Sequence, residues 1–178
     1  MFALAVVFFA ASLISVSLYA KEMKTVERVD LGRYIGLWYE TARIPNTFQK
    51  KCTSDVTAEY GILDNGNIQV TNRCVSKSGK VVEAVGIAKV VDTQTNAKLK
   101  VSFVNLLGAQ LFWGNYWIIG LDPDYKWAIV GEPSLKYGWI LSRTKVIEET
   151  ELTKIFGVLS EKGYDPSEFV MTKQVIGD

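Results

Sequence analysis

No histidine occurs among the 178 residues. That absence removes the usual general base for a serine or cysteine nucleophile, and the commonest zinc ligand with it. The carboxylates are scattered through turns, and no glycine-rich phosphate loop precedes a helix. No catalytic residue, metal site or cofactor is expected. The remaining chemistry is modest. Cys52 and Cys74 are the only thiols, and in an oxidising compartment they favour one disulfide over two free thiols. A second feature is Lys50-Lys51 beside Phe48, two cations able to meet a phosphate or carboxylate.

The elements that must hold these groups are short strands. Alternation of apolar and polar residues, interrupted by turn signals, marks strands over 36–44, 56–62, 68–73, 81–91, 99–103, 116–121, 127–130 and 137–143. Asn65-Gly66 suits the positive φ angles of a type I′ hairpin turn. That turn pairs Cys52 with a residue several positions past Cys74, so a disulfide requires Cys52 to lie in a loop folded back over the strand of Cys74. Hairpin-length connections favour an up-and-down antiparallel meander, and eight strands close into a barrel that holds one small ligand. Helical periodicity occurs once, in Leu152, Ile155, Phe156 and Leu159, with Glu148, Glu149 and Glu151 at its start and Lys162-Gly163 at its end. This helix packs outside the barrel, and a last short strand follows over 169–175. The fold class is all-β, one domain over 21–178.

Residues 1–20 carry no charge and are almost all apolar or serine. They read as a secretory signal cut after Ala20, or as an uncleaved anchor. Export follows: to the periplasm or outer membrane of a bacterium, otherwise to the outside of the cell. No cysteine ends the leader, so a lipobox for a lipid anchor is missing. A formal charge of +1 gives no electrostatic case for nucleic acid.

Three stretches carry a resemblance. They are Gly36-Leu37-Trp38-Tyr39-Glu40-Thr41-Ala42-Arg43; Leu121-Asp122-Pro123-Asp124-Tyr125 with Trp127-Ala128-Ile129-Val130; and Trp139-Ile140-Leu141-Ser142-Arg143-Thr144. Their order and spacing resemble the lipocalin family, in its bacterial lipocalin and apolipoprotein D branch. The resemblance implies an eight-stranded barrel closed at one end, binding and transporting or storing fatty acids, lysophospholipids or other small hydrophobic molecules. It also implies structural roles for Gly36, Trp38 and Arg143. Trp38 is expected near the closed end, Arg143 against its ring, and the carbonyls of a plug at 31–34 around the guanidinium. Apolipoprotein D ties its C-terminal segment down with a disulfide; this chain's tail has no cysteine.

Strand parity then gives a ligand-facing set. From Trp38 and Arg143 it selects Glu40, Ala42, Trp139 and Leu141; the other strands add Tyr60, Val70, Asn72, Gly86, Ala88, Val101, Phe103, Tyr116 and Ile118. Glu40 and Asn72 would orient a head group or bond each other, and Gly86 and Ala88 would leave room for ligand. Leu106, Leu107, Leu111, Phe112 and Trp113 make the connection over 105–115 too apolar for an ordinary loop. It is read as a lid, a homodimer contact or a peripheral membrane contact at the barrel mouth. The alternatives to a carrier are an interaction protein using this loop and, least favoured, an enzyme hosted in the same barrel.

Overall fold

Gly36 enters the first strand at φ 91°, where a Cβ would stand 3.5 Å from a guanidinium nitrogen of Arg143. A side chain resists that left-handed backbone and glycine does not. The chain can therefore leave a one-turn helix, α1 (Leu31–Tyr34), and pass at once into β1 (Gly36–Arg43). Asp30 caps α1, accepting from the Gly32 and Arg33 amides. The computed structural model describes residues 23–175, so the leader predicted over 1–20 lies outside the described residues.

After β1 come β2 (Cys52–Ile62), β3 (Ile68–Ser76), β4 (Val81–Val90), β5 (Lys98–Ser102), β6 (Val104–Leu106), β7 (Ala109–Leu111), β8 (Gly114–Leu121), β9 (Trp127–Gly131) and β10 (Gly138–Ser142). The helix α2 (Glu149–Glu161) and a short strand β11 (Val170–Met171) complete the order. Sheet order β10-β9-β8-β5-β4-β3-β2-β1, with β10 paired back onto β1, closes an eight-stranded antiparallel up-and-down barrel.

Alternation produces two cores. Inward side chains, among them Trp38, Tyr60, Val70, Ala88, Leu99, Ile118, Val130 and Leu141, form one cluster. Outward Ile119, Ile129 and Ile140 form the second with Ile155 and Leu159 of α2. Five fully buried aliphatic side chains of this kind contribute roughly 1.5–3 kcal/mol each. Glu149 and Glu151 stand in the helix's first turn, and Gly163 at φ 93° follows its end.

Four local details depart from the sequence reading. Gly66 has positive φ but Asn65 does not, and Leu63 and Asn67 bond across the turn. The connection is thus a three-residue loop with a left-handed glycine, in place of a type I′ turn. β2 runs back to Cys52, because register shifts at 52–54 and 54–57 bring Cys52 opposite Ser76. Cys52 and Cys74 are bonded with Cα atoms 5.5 Å apart, so no folded-back loop is needed. Ala42 is not inward: the register shifts between Glu40 and Ala42, and Ala42 joins the helix-side cluster. The apolar connection is itself a hairpin, β6–β7, with Leu107 and Gly108 both at positive φ.

The tail adds to the wall. β11 pairs with the far part of β1, where β2 has parted from it. Beyond it the Asp55 amide donates to the Lys173 carbonyl, the Val175 amide to the Asp55 carboxylate, and Gln174 Nε2 to the carbonyls of Glu40 and Val56. Asp55, at φ 53° in the β2 bulge, thus docks the chain's end by hydrogen bonds.

Candidate functional site: the barrel interior and its mouth

The closed end is built around Arg143. Its guanidinium lies 3.8 Å from the Trp38 ring centroid. It also donates to the carbonyls of Leu37, Arg33, Tyr34 and Ile35 at 2.7, 2.7, 3.1 and 3.0 Å. The Trp38 indole donates to Tyr34 O at 2.8 Å. These groups seal the barrel at this end.

Above this plug three tyrosines meet. Tyr34 Oη and Tyr60 Oη each lie 2.8 Å from Tyr116 Oη. With Leu31, Ile68, Ala88, Leu99 and Ile118 they line a small void, in which about 10 Å³ is open to the centre of a water molecule. That is room for about one water. Burial raises the phenol of Tyr60 to about 12 and those of Tyr34 and Tyr116 upward as well. All three stay protonated, as hydrogen-bond donors, at physiological pH.

The sequence-predicted set divides by height. Tyr60, Val70, Ala88, Ile118 and Leu141 are buried in the inner cluster, with Val101, Tyr116 and Trp139 half-buried against it. Asn72 is half-buried on the same face of β3. Gly86 is inward, but the room it leaves is taken: a Cβ there would be 2.6 Å from the Phe103 ring. Phe103 covers Gly86 and is 40% exposed at the rim. Glu40 is buried and fully engaged by Arg43, by Gln49 Nε2 at 2.6 Å and by Thr172 Oγ1 at 2.5 Å. It ties down the tail and the β1–β2 connection, and it does not bond Asn72. Parity alone missed Leu31, Tyr34, Ile68 and Leu99. Leu99 and Ile68 belong to the same alternations as Val101 and Val70, so that signal was present. Tyr34 lies in the plug segment 31–34, which strand parity does not address.

The mouth is formed by the connections 44–51, 77–80 and 132–137 and by the β6–β7 hairpin. Phe48 packs on Tyr137 at 5.2 Å between centroids, and Tyr137 lies parallel to Trp139 at 6.3 Å, an aromatic ladder from rim to interior. Gln49 Oε1 accepts from the Trp139 indole at 3.0 Å. The hairpin projects instead of folding over: Leu106, Leu107 and Phe112 are 60%, 99% and 82% exposed. In this arrangement the hairpin does not cover the barrel interior. Leu111 and Trp113 are half-buried, and Lys89 lies 4.8 Å over the Trp113 ring. Lys50, Lys51, Lys77, Lys80 and Lys136 are exposed around the rim, and none forms an ion pair with a described residue. Of the nearby acids, Glu132 is buried and accepts from the amides of Ser134, Lys136 and Tyr137, while Asp165 and Glu168 line a surface pocket with Lys136.

A closed calyx, a Trp–Arg seal, an outer helix and an open rim correspond to one family model, the Lipocalin-like domain, which matches residues 29–174. The chain belongs to the lipocalin family. This lipocalin is 40% identical over 157 residues to temperature-induced lipocalin-1 of Arabidopsis thaliana, covering 86% of this chain and 84% of that one. It is 36% identical over 156 residues to the outer membrane lipoprotein Blc of Vibrio cholerae, with 86% and 88% covered. Among solved structures, insecticyanin of the tobacco hornworm Manduca sexta superposes with a TM-score of 0.69 at 25% identity, covering 87% of this lipocalin and 86% of insecticyanin. Lipocalins bind small hydrophobic ligands.

Proposed function

We propose that this lipocalin carries fatty acids or lysophospholipids outside the cytoplasm and exchanges them with membranes, in membrane maintenance or stress. One observation carries the reading: an apolar barrel interior lies beneath an aromatic ladder that rises to a rim both apolar and cationic. The acyl chain would lie against Val70, Val101, Tyr116, Trp139 and Leu141, with Asn72 near its polar end. The phosphate or carboxylate would meet Lys50 and Lys51, and the hairpin tip at Leu106 and Leu107 would touch the bilayer. Burying a chain of about sixteen carbons at ~0.8 kcal/mol per CH₂ gives a gross gain of about 10–12 kcal/mol. Association and ordering remove several kcal/mol of it, leaving micromolar to nanomolar affinity.

The exposed rim lysines Lys50, Lys51, Lys77, Lys80 and Lys136 favour an anionic membrane surface as the exchange partner. A binding role without catalysis also agrees with the chemistry present. The two buried acids among the described residues, Glu40 and Glu132, are held by hydrogen bonds, and the interior tyrosines stay neutral.

The test is displacement of a fluorescent fatty acid from delipidated protein, with native mass spectrometry of fresh protein. Saturable displacement and co-purified lipid support carriage. An empty, stable dimer without saturable binding would replace it with an interaction role for the hairpin.

A further inference from the structure

The three inner tyrosines contain three hydroxyl protons and make two hydrogen bonds, both centred on Tyr116. Each proton can be donated once. Whichever way the hydroxyls turn, one O–H of the cluster is left over. No other described residue offers it a partner, because the void around it is lined by Leu31, Ile68, Ala88, Leu99 and Ile118. A donor without a partner in an apolar cavity is costly. The space beside it holds about one water-sized atom group.

We propose that this surplus donor is a binding site for an uncharged hydrogen-bond acceptor, a carbonyl, ether or epoxide oxygen, at the buried end of an otherwise apolar ligand. The inference rests on the carrier reading and narrows it. The ligand is polar at both ends, with one end at the rim lysines and a neutral oxygen at the tyrosines. An unsubstituted acyl chain would bury its terminal methyl against the O–H and strip it of water. Burial holds all three phenols neutral, so the site selects an acceptor and disfavours a second anion. A water in the void is the competitor that the ligand's oxygen must displace.

The experiment compares saturated fatty acids of roughly ten to sixteen carbons with the matched acids carrying a ketone on the penultimate carbon, as displacers of a fluorescent fatty acid. For at least one chain length the keto acid should bind the wild-type protein about tenfold more tightly than its parent. The triple variant Tyr34→Phe/Tyr60→Phe/Tyr116→Phe should lose that preference, binding each keto acid no more tightly than its parent. Tyr34→Phe alone leaves two hydroxyls, one bond and one surplus proton, and should keep it. Tight binding of parent acids with no keto preference at any length overturns this site and leaves the carrier reading intact. A preference that survives in the triple variant also overturns it. No saturable binding of either series removes the carrier reading and this site together.

Discussion

The Arg143 guanidinium stacks on Trp38 while donating to four backbone carbonyls of the segment from Arg33 to Leu37. One side chain therefore fastens the end of the last barrel strand to the plug and the start of the first. Arg143→Ala should cost about 2–4 kcal/mol, from lost charge-assisted hydrogen bonds and a cation–π contact of about 0.5–2 kcal/mol. Arg143→Lys should recover less than half, because an ammonium cannot fork between those carbonyls. Urea unfolding measures both. Fatty-acid affinity of the folded fraction should change little, and a large loss there would contradict a purely structural role.

The Cys52–Cys74 link closes a loop with a sequence separation of 22. The chain-entropy model assigns such a loop about 3 kcal/mol. Denaturation of wild type with and without reductant, beside a Cys52→Ser/Cys74→Ser variant, should show a loss of that order. The reduced protein and the variant should agree.

Removing the Asp55 carboxylate should free the tail. Its pKa is set by burial, which raises it, and more strongly in sum by hydrogen bonds from Ser54 and the Val175 amide and by Lys145 and Lys173, which lower it. A depressed folded pKa means the stabilisation is present above the unfolded value and fades as pH falls through the folded one. Limited proteolysis should cut Asp55→Ala near the C-terminus faster than wild type at neutral pH, and the difference should shrink in acid.

Alkaline stability should depend on the interior phenols. Tyr60 is raised by burial from 10.0 to about 12. Its contribution is complete below pH 10 and is lost as pH climbs through the folded value. Absorbance of phenolate near the unfolding transition should show these tyrosines ionising together with loss of structure. Tyr60→Phe should move alkaline unfolding to higher pH, even where it lowers stability at pH 7 by about 1 kcal/mol.

The exposed hairpin should matter for membranes and not for folding. Leu106→Ser, Leu107→Ser and Phe112→Ser should leave the melting temperature within about a degree or two. Each should weaken sedimentation with anionic vesicles by roughly tenfold. Lys50→Gln/Lys51→Gln should flatten the salt dependence of the same binding.

Much of this was written in local pattern. The strands and the helix from Leu152 to Leu159 follow from alternation and periodicity, because each depends on near neighbours; the pairing of Trp38 with Arg143 follows from the resemblance to lipocalins alone. Ala42 escaped because a single extra residue after Glu40 reverses every side chain beyond it. Glu40 escaped for another reason: its partners Gln49 and Thr172 come from a loop and a tail that parity does not address. Gly86 leaves no space despite its size, because Phe103, its neighbour just past the end of the adjacent strand, fills it. The tyrosine cluster needed Tyr34, Tyr60 and Tyr116 to converge from three separate elements, and no spacing in the chain encodes that meeting.

The wall between β1 and β2 is completed by residues of the tail, with Thr172 reaching a carboxylate 132 positions earlier. Closure of β10 on β1 likewise joins residues about a hundred apart, such as Glu40 and Leu141. Such distant pairings must pay loop-closure entropy before they return any contact energy, which slows folding. During synthesis the interior stays open on one flank until β10, Gly138–Ser142, has emerged. Any early intermediate therefore exposes the apolar faces of β1 and β2 that the finished barrel hides.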